Sequence, residues 1–287
     1  MGSDAGPGRR ICGDLMTVPY RWFGQRRKVK DRKWPCNHWR GFVVGTAGMV
    51  LVAFAILDYP VGVMSKQLDP LLHRYGNLLT DFGKSDWVLI VSFLAIIVGL
   101  GAAGTGDRRT RAKGVFLAQA SSFVFAAIAF SGIAVALIKN TIGRARPNML
   151  AHDLGPFSFS PMQFDADFAS FPSGHSTTIA AIFTCAAFFM PRHRVLFFSL
   201  AVAVAMCRTI VGAHYPSDVI AGLAFGAWCT YLVAIFFSRY RMVFRIDDGG
   251  WPVPRNSIRA LKPEFMRHHR APVPKQTDLD LGTQKGH

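Results

Sequence analysis

The sequence predicts an all-α, polytopic membrane protein with six transmembrane helices and both termini on the cytoplasmic side. Three observations lead there. About half of the 287 residues are apolar, they collect in long blocks, and basic residues fill every other gap between the blocks. A bilayer-spanning helix needs roughly 17–25 such residues. Buried helices of a soluble protein are the alternative, but six of them would demand a core too large for this chain.

The blocks run Gly41–Leu57, Trp87–Ala103, Val115–Ile138, Ser176–Met190, Val195–Met206 and Val219–Phe237. The fourth and fifth are short, because polar residues cut into them. Ahead of the first lies a basic leader, residues 1–40, punctuated by Trp22, Phe23, Trp34 and Trp39. Two readings stay open for it: a segment lying on an anionic inner membrane surface, or a disordered basic tail. It contains no apolar run of the kind a signal peptide has, so the first span is expected to act as its own insertion signal. Residues 41–245 hold the spans. Residues 246–287, rich in Pro, Gly and charge, are expected to form a flexible cytoplasmic tail.

The formal charge of +16 matters through its location. Arg and Lys crowd the leader, then recur at Arg108–Lys113, at Arg192 and Arg194, and at Arg239–Arg245. The loop after the first span is balanced instead, with Asp58, Asp69, Asp81 and Asp86 against Lys66, Arg74 and Lys84. By the positive-inside rule both termini are cytoplasmic, and the loops after spans one, three and five face outward. Charge so regularly alternated argues against nucleic acid as a partner. An odd number of cysteines without C-x-x-C spacing argues against a disulfide framework and a zinc site.

Two packing signals accompany the spans. Gly41/Gly45 and Gly222/Gly226 have the spacing that lets helices approach closely. In the first outer loop, Lys66–Leu79 has apolar residues at helical spacing and reads as an interfacial helix near the site.

Three polar clusters remain, all on the outer side, where ionisable groups at membrane depth are costly. The first is Lys139 to Arg146-Pro147, ending span three. On a continuing helix, Lys139 and Arg146 lie about 20° from eclipsed, and two such cations repel unless an anion sits between them. The second, Pro172-Ser173-Gly174-His175, opens span four: Ser173 suits an N-cap, and Gly174 lets a ligand approach the free N–H groups there. The third is Arg208 to Asp218, which contains His214. Here Asp218 can reach one imidazole nitrogen of His214, fixing the tautomer and freeing the other nitrogen. A snorkelling cation, a helix start or a structural hydrogen bond explains each cluster alone. Together they bring three cations, backbone donors, two histidines and an acid to one depth.

In the order Lys-x6-Arg-Pro, Pro-Ser-Gly-His, Arg-x5-His-x3-Asp, the chain resembles the type 2 phosphatidic acid phosphatase (PAP2) superfamily, in its membrane lipid phosphatase branch. The motifs span Lys139–Asp218, and the topology extends the likeness over most of residues 41–240. The resemblance implies a metal-independent lipid phosphatase without cofactor. His214 attacks phosphorus, Asp218 orients it, and His175 protonates the leaving oxygen and then activates water. Lys139, Arg146, Ser173, Gly174 and Arg208 bind the phosphate. Opposite protonation states of the two histidines imply a bell-shaped pH dependence. Cys207 departs from the family pattern, standing where Ser is usual and donating a weaker hydrogen bond.

The family implies an outer-leaflet substrate: undecaprenyl diphosphate, phosphatidylglycerophosphate, phosphatidic acid or lipid A phosphate. The compact loops and the lack of an N-x-S/T site point to a bacterial inner membrane, with the site facing the periplasm. Two rivals stand beside hydrolysis. One is a phosphotransferase that passes phosphate to a second lipid. The other is an anionic-lipid binding or transport protein, which has no need of the paired histidines.

Overall fold

Each apolar block becomes a helix in the computed structural model, which describes residues 39–105, 107–162 and 164–255. Most of the leader and the tail beyond residue 255 lie outside the described residues. The first span is α1 (Trp39–Val52), a π-turn (Ala53–Leu57) and α2 (Asp58–Ser65) in one unbroken run. The expected interfacial helix is α3 (Pro70–Asp81), started by Pro70 and by the Asp69 carboxylate accepting the Leu71 N–H at 2.7 Å. It leads into α4 (Ser85–Thr105). Asp107 caps α5 (Arg108–Ile142), accepting the Thr110 N–H at 3.0 Å. Then come α6 (Gly174–Phe189), α7 (Arg194–Ile210) and α8 (Pro216–Arg239).

Among the described residues, five stretches are long and apolar enough to cross a membrane: Trp39–Ser65, Pro70–Thr105, Arg108–Ile142, Pro191–Ile210 and Pro216–Arg239. The sixth expected span, α6, has only 16 residues, or roughly 24 Å at about 1.5 Å per residue. A hydrocarbon core is about 30 Å thick. The helix is short because its first turn starts inside the protein, where Ser173, Ser176 and Thr177 are fully buried. Its far end, at Phe189, meets Phe123 midway along the 35-residue α5. Large apolar side chains cover the outside: Val44 is 71% exposed, Ile133 65% and Val195 75%. Such an exterior suits lipid as solvent, and the protein is an integral membrane protein.

α5 lies against α4, α6 and α8, while α1 stays at the edge, stacking Phe42 on Trp228 of α8 at 5.5 Å. Gly222 and Gly226 do the packing their spacing promised: a Cβ there would stand 2.5 Å from Ser173 O and 2.2 Å from Thr177 O of α6. Gly41 and Gly45 do not, since nothing lies within 4 Å of a Cβ at either.

At the end away from the polar clusters the chain continues past residue 245, where a flexible tail was expected to begin. β1 (Phe244–Ile246) pairs antiparallel with β2 (Pro252–Pro254). Phe244 is fully buried and meets Phe123 edge-on at 4.6 Å, within a core that includes Phe188, Phe237 and Met242. This aromatic plug explains why residues 246–255 are folded. Their Pro and Gly content reads as a tail only when the partner surface is out of view.

Candidate active site

The three polar clusters converge at one end of the bundle. α5 stops at Ile142 because Gly143 takes a left-handed conformation at φ 64°, its N–H bonding Lys139 O at 2.9 Å. A side chain there would collide with Ser160 O, at 1.8 Å from a Cβ. Arg146 therefore lies beyond the helix, and the helical-face relation expected between Lys139 and Arg146 does not hold. Extended backbone brings Arg146 back instead, its N–H held by Asp167 O at 2.9 Å, leaving the two cations within electrostatic range of each other.

Ser173 caps α6, its hydroxyl accepting the Ser176 N–H at 3.4 Å and pairing with the Ser176 hydroxyl at 3.0 Å. The residue is fully buried, with its hydroxyl at the start of the helix. Gly174 is the open position, with nothing within 4 Å of a Cβ. Beside it His175 is half-buried, with Arg208, His214 and Arg146 as its charged neighbours.

Arg208 occupies the last turn of α7 and reaches α3, where its Nη1 donates to Thr80 Oγ1 at 3.3 Å. The Nε atoms of Arg146 and Arg208 are both buried and make no hydrogen bond among the described residues. Buried donors are normally satisfied, and two guanidinium donors beside a helix start define a place for an anion. Cys207 contributes nothing there, because its thiol turns back to Ala203 O at 3.5 Å.

His214 is held in a way its spacing to Asp218 did not foretell. Its Nδ1 donates to Ser170 O at 3.0 Å, since a carbonyl can only accept, and Nε2 is thereby left unprotonated in the neutral ring. Asp218 Oδ2 stands 3.7 Å from Nδ1, too far for a hydrogen bond but close enough for charge to act. That carboxylate accepts from Ser170 Oγ at 2.6 Å, Tyr215 N at 2.9 Å and Arg144 Nη1 at 2.5 Å. Burial lowers the His214 pKa from its ordinary 6.5, with Asp218 pulling the other way.

Ser170, Arg144 and Asp58 went unseen in the sequence. Ser170 stands just ahead of the second cluster, but its partners His214 and Asp218 lie 44 and 48 residues further on. Arg144 lies inside the first cluster, and Asp58 follows directly on an apolar block; a charge in that place is itself a pointer to function.

A family model described as the PAP2 superfamily matches residues 121–242. The chain is 40% identical over 237 residues to a lipid A 1-phosphatase of Rhizobium johnstonii, across 80% of this chain and 96% of that one. It is 40% identical over 222 residues to a lipid A 1-phosphatase of Rhizobium etli, across 77% and 94% of the two chains. Among solved structures, it is similar to a transmembrane PAP2-type phosphatidylglycerolphosphate phosphatase from Bacillus subtilis, at 21% identity and a TM-score of 0.49, covering 72% of this chain and 96% of that one. The chain belongs to the PAP2 superfamily. It is a membrane-embedded phosphatase.

Proposed function

We propose that the protein removes the 1-phosphate of lipid A at the periplasmic face of a bacterial inner membrane, through a phosphohistidine at His214 and without a metal. The observation that carries the reaction is the pair of buried, unpartnered Nε donors of Arg146 and Arg208 beside the start of α6. Identity of 40% across 96% and 94% of the lengths of two lipid A 1-phosphatases supports the substrate. The charge alternation of the loops supports the face, with six crossings and both termini cytoplasmic.

Phosphate enters among Lys139, Arg146, Arg208, the Ser173 hydroxyl and the Gly174 N–H. His214 Nε2 attacks phosphorus in line, and the bond from phosphorus to the sugar oxygen breaks. His175 gives its proton to that oxygen as it leaves. Water then attacks the phosphohistidine while His175 takes back a proton, releasing inorganic phosphate and restoring neutral His214. Asp218 stabilises the positive charge that His214 carries in between. Fixed cations supply the charge neutralisation that a metal supplies elsewhere, so the rate rests on positioning and electrostatics.

Purified protein in detergent, with EDTA, is expected to release phosphate from lipid A 1-phosphate at the rate seen without EDTA. The same assay covers undecaprenyl diphosphate, phosphatidylglycerophosphate and phosphatidic acid; preference for one of these replaces the substrate assignment. Loss of turnover in EDTA, restored by a divalent cation, ends the metal-free reading.

The pH dependence follows from the depressed His214 pKa. Below that pKa the ring is protonated in the folded protein and cannot attack; above it the ring is neutral and competent. Through His214, activity is therefore lost as pH falls through a value lower than 6.5, and the need for a protonated His175 adds a separate loss as pH rises. The acid limb of kcat/KM, which reports the free enzyme, is expected below 6.5. A limb centred above 6.5 contradicts the assignment.

A further inference from the structure

Asp58 opens α2 directly after the π-turn of the first span, outside residues 121–242 that match the family. It is fully buried, and so is Arg144. Arg144 Nη2 donates to Asp58 Oδ2 at 2.6 Å, Nη1 donates to Asp218 Oδ1 at 2.5 Å and to Ser217 Oγ at 2.7 Å, and Nε donates to Pro156 O at 2.9 Å. Every nitrogen of the guanidinium is engaged. The guanidinium lies over the rings of Phe54, at 4.8 Å, and Tyr215, at 4.6 Å. Asp58 also accepts the Ser217 N–H at 3.0 Å and the Ser217 hydroxyl, so the first span grips the start of α8 at two points.

The charges in this cluster do not cancel. Arg144 alone would neutralise Asp218, leaving His214 beside a neutral pair. With Asp58 on the far side, two carboxylates share one guanidinium and the cluster holds a net charge of −1. The other charges facing His214 are the cations Arg146 and Arg208 and the ring of His175. The Asp58–Arg144–Asp218 cluster is thus the negative side of the nucleophile's surroundings.

We propose that Asp58 is a positioning residue of the phosphatase reaction: by compensating Arg144, it preserves the negative charge of Asp218 toward His214. The proposal rests on His214 as the nucleophile. It gives the first span a part in the chemistry besides anchoring, since that span supplies the charge that stabilises a positive phosphohistidine. A purely mechanical role for Asp58, stapling the first span to α8, would change stability and leave the chemistry of His214 alone.

The test compares wild type, Asp58→Asn and Asp58→Asn/Arg144→Gln by Tm, kcat, KM and the pH dependence of kcat/KM. Removing one negative charge disfavours a protonated His214, so Asp58→Asn moves the acid limb to lower pH, by about one unit. It lowers kcat about tenfold or more with KM little changed, because the lost interaction is with the transition state and intermediate. The double variant removes one negative and one positive charge together, and its acid limb returns to the wild-type position. An Asp58→Asn limb that coincides with wild type while Tm falls overturns the proposal in favour of the staple. Should Asp58→Asn not yield monodisperse protein, the double variant decides: a wild-type limb supports the proposal, and a displaced one overturns it. His214→Ala separates this from the parent reading. Turnover retained there removes the nucleophile itself, whereas a dead His214→Ala beside an unmoved Asp58→Asn limb removes only the role of Asp58.

Discussion

His214→Ala is expected to lower phosphate release by at least about 10⁴-fold, the scale on which removing a covalent nucleophile acts. Ser170 O fixes the proton on Nδ1, so Nε2 carries the free lone pair, and no other described side chain offers one with Asp218 behind it. Rapid quenching of wild type with radiolabelled substrate should trap a protein-bound phosphate that survives alkali and is lost in acid, as an N–P bond behaves. The same quench of His214→Ala should trap none. His214→Gln keeps a similar volume with no nucleophilic nitrogen, and should be as inactive as the alanine variant while folding as wild type. Turnover within about tenfold of wild type in either variant would mean direct attack by water, with His214 reduced to an electrostatic role.

The parts of this protein visible in its sequence are those where one residue type has few alternative uses. An apolar block ending in Lys139, a Ser-Gly-His helix start and a His214–Asp218 pair are each compact in sequence, so their local geometry follows from spacing. What spacing could not give is which long-range partner answers each group. Asp218 looked like the hydrogen-bond partner of His214, but Ser170, Tyr215 and Arg144 claim its oxygens and Ser170 O takes the imidazole N–H. Asp58 looked like a loop charge because the apolar block ended beside it, yet the π-turn and α2 carry the first span onward to Ser65. Arg146 looked helical on spacing alone, although Gly143 is itself a local stop signal, which the folded loop enforces by placing the Ser160 carbonyl where a side chain would stand. The hairpin after residue 243 is the same case, a short polar stretch ordered by the buried ring of Phe244 against Phe123.

Arg208→Ala is expected to cost about 10²–10³-fold in kcat, or roughly 2.7–4 kcal/mol, the measure of one preorganised donor to a developing charge. Inhibition by vanadate, which mimics five-coordinate phosphorus, should weaken in step with kcat/KM, since both report binding of the same geometry. Arg208→Lys should recover only part of the loss, because an ammonium cannot present Nε and Nη together to two oxygens. Stability should move the opposite way. Arg208 and Arg146 repel across an anion site, each with a buried Nε that finds no acceptor among the described residues. Removing one of them relieves both the repulsion and an unsatisfied donor, so the ligand-free variant should melt at a higher temperature than wild type. A structural arginine behaves otherwise, since its loss lowers Tm and activity together. Inorganic phosphate supplies the complementary reading: it should raise the Tm of wild type through binding and leave that of Arg208→Ala nearly unmoved. A fall in Tm for Arg208→Ala, with phosphate stabilising it as well as wild type, would put the anion site elsewhere than between these two guanidinium groups.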